Sequence, residues 1–140
     1  MTETTSTEVP KKLVRLSSLK ADLEKERNGD WQPSDIDGVS FLVRSTNYAP
    51  YRIARDAAFQ KLTRKHGNNI PDEPKTRTLG ELAVKHLLLD WSGLDEPFSP
   101  ELAETILTDE GFRGLRDSIY FAAMKVGQAE VEFVEDGAKN

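Results

Sequence analysis

The strongest constraint on the fold is the spacing of apolar residues in the last third of the chain. Phe112, Leu115, Ile119, Ala122 and Val126 recur at intervals of three and four, which is the period of one face of an α-helix. Such a stripe has to be buried against other elements, because an isolated amphipathic helix is marginal in water. The spacing therefore predicts a long amphipathic helix across these residues.

Capping and turn signals predict four further helices, over about 19–27, 50–66 and 78–90, with a short one after Ser99. The stretch 68–75, with two prolines, is predicted to be a loop. The signals are Ser17 or Ser18 as a cap, Pro50 in a first turn, Gly67 as a stop, the capping box of Thr78 and Glu81, and Ser99 followed by Pro100.

One stretch has the period of a strand. Val39, Phe41 and Val43 occupy alternate positions, as in a strand with one buried face. The turn signal Asp37-Gly38 precedes them, and Asp30 begins a plausible partner strand. The predicted fold is therefore mainly α: a small helical domain with one short β-hairpin at about 30–45, near the N-terminus.

The chain is long enough for one compact domain and too short for two ordinary ones. We expect a flexible N-terminal tail over 1–15, a single helical domain over 16–134, and a flexible C-terminal end over 135–140. No apolar run approaches the roughly 20 residues of a membrane span, and no signal peptide is evident. With no cysteine, disulfides and thiolate chemistry are excluded, which fits a reducing cytoplasm.

The net charge of −5 is unevenly distributed, with +2 over residues 1–75 and −7 over residues 76–140. Nucleic-acid binding usually requires a positive field that displaces counterions from phosphates. We therefore do not expect nucleic acid as a partner. The asymmetry suits instead a protein partner, or self-association through complementary charges.

No group of residues in the sequence indicates catalysis or a cofactor. The two histidines, His66 and His86, lie on different predicted helices, without the spacing of a zinc site. The glycines of Gly111–Gly114 lack the preceding strand of a phosphate loop, and the acidic clusters lack the remaining ligands of a calcium loop. We predict no catalytic residue, no metal, no cofactor and no enzyme activity.

Aromatic and basic side chains are the candidates for partner binding. Exposed aromatic residues concentrate binding energy at protein interfaces, so Trp91, Phe98 and Tyr120 are predicted to contact a partner. Arg52 and Arg55 belong to a basic face of the helix over 50–66, together with Lys61, Arg64 and Lys65. That face can meet phosphates or an acidic partner, but a merely solvated helix surface is the more common explanation.

Several segments resemble the tail assembly chaperones of long-tailed bacteriophages and prophages. The similarity is one of pattern and order, covers about residues 16–140, and includes no mechanistic motif. The segments are Leu19-Lys20-Ala21-Asp22-Leu23, Gly29-Asp30-Trp31, Val43-Arg44-Ser45-Thr46-Asn47-Tyr48, Tyr51-Arg52-Ile53-Ala54-Arg55-Asp56, Leu87-Leu88-Leu89-Asp90-Trp91-Ser92-Gly93, Phe98-Ser99-Pro100-Glu101 and Val131-Glu132-Phe133-Val134-Glu135-Asp136.

The resemblance implies a non-enzymatic chaperone that binds the tail-tube protein, the tape-measure protein or both, and prevents premature tube polymerisation in the host bacterial cytoplasm. It implies no catalytic residues. Such proteins often occur in a short and a frameshifted longer form, and codons for Ala138-Lys139-Asn140 can form a slippery site, so we expect the short form here. The alternatives are a structural virion component, such as a tail or head–tail connector protein, and a small nucleic-acid-binding regulator.

Overall fold

The computed structural model describes residues 12–135, and the contacts within the chain divide it into two compact units. The described part of the first unit consists of residues 12–22 and 128–135. The second unit, residues 23–127, contains all but two of the strands and every α-helix that the described chain forms.

Strands and helices are interspersed along the described chain. The elements are, in chain order, β1 (Lys12–Val14), a 3₁₀ turn (Leu16–Leu19), α1 (Leu23–Asn28), β2 (Asp30–Pro33), β3 (Ser40–Val43), α2 (Ala49–His66), α3 (Asp72–Leu82), a π-helical turn (Ala83–Leu87), β4 (Leu88–Ser92), α4 (Pro100–Leu107), a 3₁₀ turn (Glu110–Phe112), α5 (Arg113–Lys125) and β5 (Phe133–Glu135). All strand pairs are antiparallel: β1 pairs with β5, and the other sheet has the order β2-β3-β4.

The first unit is built on the ribbon of β1 and β5, in which Leu13 lies opposite Val134. Ser18, which lies within the 3₁₀ turn after β1, connects that turn to the chain on both sides of the ribbon. Its hydroxyl donates to the carbonyl oxygen of Arg15 at 2.6 Å and accepts from the N–H of Glu132 at 2.9 Å. Because the two strands come from opposite ends of the chain, no local pattern predicts their pairing.

The predicted flexible ends fall mostly outside the described residues. Residues 1–11 and 136–140 are not described, and the frameshift expectation concerns the latter. Lys12–Val14, which the sequence placed in the N-terminal tail, forms strand β1 instead. That residues 16–134 fold as one domain stays a prediction.

The predicted hairpin is confirmed in the second unit. β2 and β3 pair with Asp30 opposite Val43, and Gly38 between them has a φ of 82°. Phe41 and Val43 are fully buried, as their alternation predicted.

The predicted fold class, mainly α with one hairpin, is wrong: the protein is mixed α/β, with two sheets. The run Leu87–Leu89 was expected to continue a helix to about Asp90. Instead the helix passes through the π-helical turn and gives way to β4, whose Leu88 and Trp91 are buried. A short apolar run cannot distinguish a helix from a strand, and here the backbone groups offered by β3 decide the outcome.

The start of α3 also differs from the prediction. Residues 68–75 were expected to be a loop, but α3 begins at Asp72 and includes Pro74 in its first turn. A proline is tolerated there because the first N–H groups of a helix have no intrahelical acceptor. Thr78 and Glu81 therefore lie inside α3 and do not form its cap.

The other main helices agree with the sequence. α2 ends where Gly67, at a φ of 69°, donates its N–H to the carbonyl oxygen of Thr63. Ser99 caps α4 by accepting from the N–H of Leu102 at 3.1 Å. α5 carries the predicted stripe, with Ile119 and other central members buried, whereas Phe112 lies before the helix and is 44% exposed.

The core of the second unit lies between the inner face of the sheet and the helices. It joins β3 and β4 to residues of α2, α3, α4 and α5, and its largest fully buried side chains are Phe41, Leu87, Leu107, Ile119, Val43 and Val126. No helix of residues 12–135 is long and apolar enough to cross a membrane.

Candidate functional site

The aromatic residues predicted to contact a partner contribute mainly to the core. Trp91 is only 6% exposed, and its indole N–H donates to the carbonyl oxygen of Glu96 at 2.8 Å. Phe98 packs edge-on against it, with ring centroids 5.2 Å apart. Of the neighbours Tyr120 and Phe121, it is Phe121 that is exposed, at 56%. The expected exposure is therefore wrong for Trp91, and partner binding by these residues stays a prediction.

The two predicted arginines lie on α2 and are held by local contacts. The Nε of Arg52 donates to the carbonyl oxygen of Asn47 at 3.2 Å. Arg55 forms an ion pair with Asp56 at 3.0 Å, and its guanidinium lies 5.7 Å from the centre of the Tyr51 ring. Neither arginine lines the concave surface described next, and their role in binding stays a prediction.

An open groove of about 440 Å³ lies between α2 on one side and α3 with the π-helical turn on the other. We call it the α2–α3 groove. The α2 wall is formed by residues at helical spacing, namely Ala54, Ala58, Lys61, Leu62, Lys65 and His66. The opposite wall is formed by Pro74, Arg77, Thr78, Glu81, Leu82, Lys85 and His86. Both walls follow the three-and-four period of a helix face.

The floor and the rim of the groove differ in chemistry. Ala54, Ala58 and Leu62 are half-buried along α2, and Leu82 is buried on the other side. The rim carries four exposed cations, which are Lys61, Lys65, Arg77 and Lys85. The one acidic residue of the lining is Glu81. An apolar floor with a cationic rim suits a ligand that has both apolar and acidic groups.

Both histidines of the chain line this groove, one on each wall. The sequence placed His66 and His86 on separate helices, and nothing in their spacing predicted that they would face one groove. Burial, together with the nearby charges of Lys85 and Arg44, lowers the pKa of His86 below its ordinary value of 6.5. The neutral imidazole is therefore the main form of His86 at pH 7.

Tyr120 contacts both helices that form the walls of the groove. Its hydroxyl donates to the carbonyl oxygen of Leu79 on α3 at 2.6 Å. Its ring lies 6.2 Å from that of Tyr51 on α2, at an angle of 56°. Burial raises the pKa of the Tyr120 hydroxyl, which therefore remains protonated and able to donate. The residue predicted to contact a partner thus helps to set the spacing between α2 and α3.

The sequence contained part of the signal for this site. Tyr51, Ala54, Ala58 and Leu62 recur at helical spacing along 50–66, but only Tyr51 is buried in the core, and the other three are half-buried on the groove floor. The predicted loop over 68–75 left Pro74 out of the opposite wall, and although most other residues of that wall lay on the predicted helix over 78–90, no local pattern indicated that this helix faces α2. Lys61 and Lys65 were placed on a basic face that could meet phosphates or an acidic partner, with a solvated surface as the favoured explanation.

The geometry offers little support for metal chemistry. Among residues 12–135, no group of three or more His, Asp or Glu side chains is placed to hold a metal ion. In the groove itself, the two histidines are accompanied by a single carboxylate and by four cations, which repel a metal ion.

The fold and the site define a mixed α/β protein with a cationic groove between two helices. The chain belongs to the YdaY prophage protein family, whose model matches residues 46–140. The groove lies entirely within the matched segment, whereas β2 and β3 precede it. No curated protein and no solved structure matches the chain. The prophage part of the resemblance is therefore confirmed.

Proposed function

We propose that this prophage protein is a non-enzymatic tail assembly chaperone that binds the tail-tube protein, the tape-measure protein or both through the α2–α3 groove. Membership of a prophage family and the resemblance to tail assembly chaperones support the biological context. On this proposal the protein covers an assembly surface of its partner and so prevents premature tube polymerisation in the host cytoplasm.

The groove is the observation that carries the proposal. It is open to solvent along one side and bounded by two helices, which is the arrangement that accepts an amphipathic helix of a partner. An aliphatic floor supplies apolar contact, and charges at a solvent-exposed rim mainly increase the association rate and select the partner. A chaperone has to release the protein that it binds. An open groove suits this requirement because it contacts a partner over a small area, whereas permanent complexes bury large interfaces.

Co-expression with the neighbouring tail genes tests the proposal. We expect the tagged chain to co-purify with the tail-tube or tape-measure protein and to keep the tube protein soluble and unpolymerised. Failure to retain either protein, with both expressed and soluble, would contradict the proposal.

Because the chain has no cysteine, a blocking group can be attached at one chosen position. Ala58→Cys places a bulky maleimide adduct on the groove floor, whereas Thr63→Cys places the same adduct on the exposed side of α2, outside the groove. We expect the first adduct to abolish co-purification and the second to preserve it. Equal retention by both adducts would remove the groove from the proposal.

The two alternatives give different results in direct assays. A structural virion component would be abundant in purified mature particles, and mass spectrometry should detect it there, whereas a chaperone should be absent or present only in traces. A nucleic-acid-binding regulator would use the cationic rim to contact phosphates. It requires strongly salt-dependent DNA binding, and a gel shift at low salt that shows none would exclude it.

A further inference from the structure

We infer that the α2–α3 groove is a receptor for an acidic amphipathic helix, whose carboxylates pair with the rim while its apolar stripe lies on the floor. The inference deepens the proposed function. It rests on that function only because it assumes that the occupant of the groove is a segment of a protein. This occupant is supported by the length of the groove, by the charge of its lining and by the absence of aromatic residues from that lining.

The groove is long enough for a helix and larger than a simple ion requires. The α2 wall runs from Ala54 to His66, about 18 Å or three helical turns at 1.5 Å per residue. Ala54 and Ala58 are small, so the backbone of an incoming helix can approach α2 closely. Leu62 and Leu82 then provide aliphatic contact further along.

The spacing of the cations matches the spacing of carboxylates on a helix. Lys61 and Lys65 are one turn apart on α2, and residues one turn apart on a helix lie about 5–6 Å from each other. Arg77 and Lys85 stand on the opposite wall. Two rows of Asp or Glu, one on each side of an apolar stripe, would meet these two rows of cations.

The charge of the groove is opposite to that of the protein. The chain has a net charge of −5, yet the lining carries four cations and one carboxylate, Glu81. Within residues 12–135, Lys61, Lys65 and Lys85 form no ion pair, whereas Arg77 is held by Glu73 at 2.5 Å. Exposed lysines are common on protein surfaces. Lys61, Lys65 and Lys85 differ from ordinary surface lysines because they border an apolar concavity, where the carboxylates of an acidic helix can form ion pairs with them.

The lining favours an acidic protein segment over nucleic acid. Sites for single strands combine cations with aromatic rings on which bases stack, and no Phe, Tyr or Trp lines the groove. The floor is aliphatic and concave, which suits the side chains of a helix better than a row of phosphates.

A pair of synthetic peptides tests the inference on the full chain. The first is a helical peptide of about 18 residues, long enough to form a helix, with an Ala/Leu stripe flanked by glutamates. The second has lysine in place of every glutamate. We expect fluorescence anisotropy to show binding of the acidic peptide, weakening with salt, and no binding of the basic one.

Two double variants with the same change in charge locate the binding site. K61E/K85E reverses one rim cation on each wall, whereas R64E/K75E reverses one exposed cation on each of α2 and α3 outside the groove. We expect K61E/K85E to weaken binding of the acidic peptide at least about tenfold, and R64E/K75E to change it by less than about twofold. Circular dichroism should show both variants folded, because all four side chains are exposed.

Three outcomes would overturn the inference: equal binding of the two peptides, equal weakening by the two double variants, or a DNA duplex that binds more tightly than the acidic peptide and loses its binding in K61E/K85E. The test is separate from that of the proposed function. If a tail protein co-purifies equally with the wild type and K61E/K85E, the chaperone proposal stands and the acidic-helix inference fails. If the acidic peptide binds but no tail protein co-purifies, the reverse holds.

Discussion

α3 meets α4 through close packing and meets α2 across an open groove, although both sides of α3 follow the same helical period. On the packed side, Thr76 and Gly80 are buried, and a side chain at Gly80 would overlap the carbonyl oxygen of Leu107 on α4. On the groove side, Thr78 and Glu81 are partly exposed.

Polar groups on the two sides also differ in their partners. On the packed side, the hydroxyl of Thr76 donates to the carboxylate of Glu110, which also lies 3.8 Å from the guanidinium of the buried Arg116. On the groove side, Lys61 and Lys85 form no ion pair within the described chain. The packed side pairs Thr76 with Glu110 but leaves Nε and Nη1 of the buried Arg116 without a hydrogen bond among the described residues, in a place closed to solvent. The groove side leaves exposed lysines without an ion pair beside an open concavity, and it is there that a ligand is to be sought.

The largest effect on stability is expected at the packed side. Gly80→Ala should destabilise the protein by about 3 kcal/mol, because the added methyl group has to displace the backbone of α4, which is more costly than ordinary overpacking. The matched change in the groove is Ala58→Ser on its α2 wall, which should cost about 0.5 kcal/mol, mainly through helix propensity. Urea unfolding measures both values, and equal costs would show that the α3–α4 contact is packed no more closely than the groove.

A smaller effect is expected where Tyr120 connects the two helices. Tyr120→Phe removes the hydrogen bond to Leu79 and should cost about 1 kcal/mol, since the carbonyl oxygen of Leu79 loses the tyrosine hydroxyl but keeps the N–H of Ala83 as a donor. The same substitution at Tyr48, whose hydroxyl forms no hydrogen bond within the described chain, should change the free energy of unfolding by less than about 0.5 kcal/mol. If Tyr48→Phe lowers the free energy of unfolding by as much as Tyr120→Phe, the hydrogen bond from Tyr120 to Leu79 does not contribute specifically to stability.

The smallest effect is expected from titration of His86. Because its folded-state pKa is below 6.5, the unfolded chain binds the proton more readily as the pH falls below 6.5. Stability should therefore be unaffected by this group above pH 6.5 and decrease as the pH falls from 6.5 through the folded-state pKa. Urea midpoints should show this slope in the wild type and a reduced slope in His86→Gln. An NMR titration that places the pKa of His86 at or above 6.5 would contradict the expected environment.

The sequence predicted the elements whose signals are local. Ser99 as a cap, Gly67 as a stop and the stripe through Ile119 are each decided within a few residues, and the structure confirms them. The hairpin was predicted for the same reason. β4 could not be, because an apolar run such as Leu87–Leu89 becomes a strand only when β3 is present to pair with it.

The candidate site could not be predicted from local sequence patterns, because it too depends on contacts between distant segments. A groove is a property of two helices and of the distance between them, and that distance depends on contacts such as those of Tyr120, distant in sequence from both walls. Trp91 shows the converse error: an aromatic residue at the end of a predicted helix was expected to be exposed, and it is buried because it belongs to a strand.

Binding in the α2–α3 groove is tested most directly by chemical-shift mapping of the acidic peptide on the full, isotope-labelled chain. The chain has only two histidines and both line the groove, so their imidazole signals report on it without ambiguity. We expect the peptide to shift the signals of His66, His86 and the amide of Ala58, while the amides of α4 around Leu107 remain unchanged. Shifts that are largest around Leu107, with both histidine signals unmoved, would contradict binding in the groove.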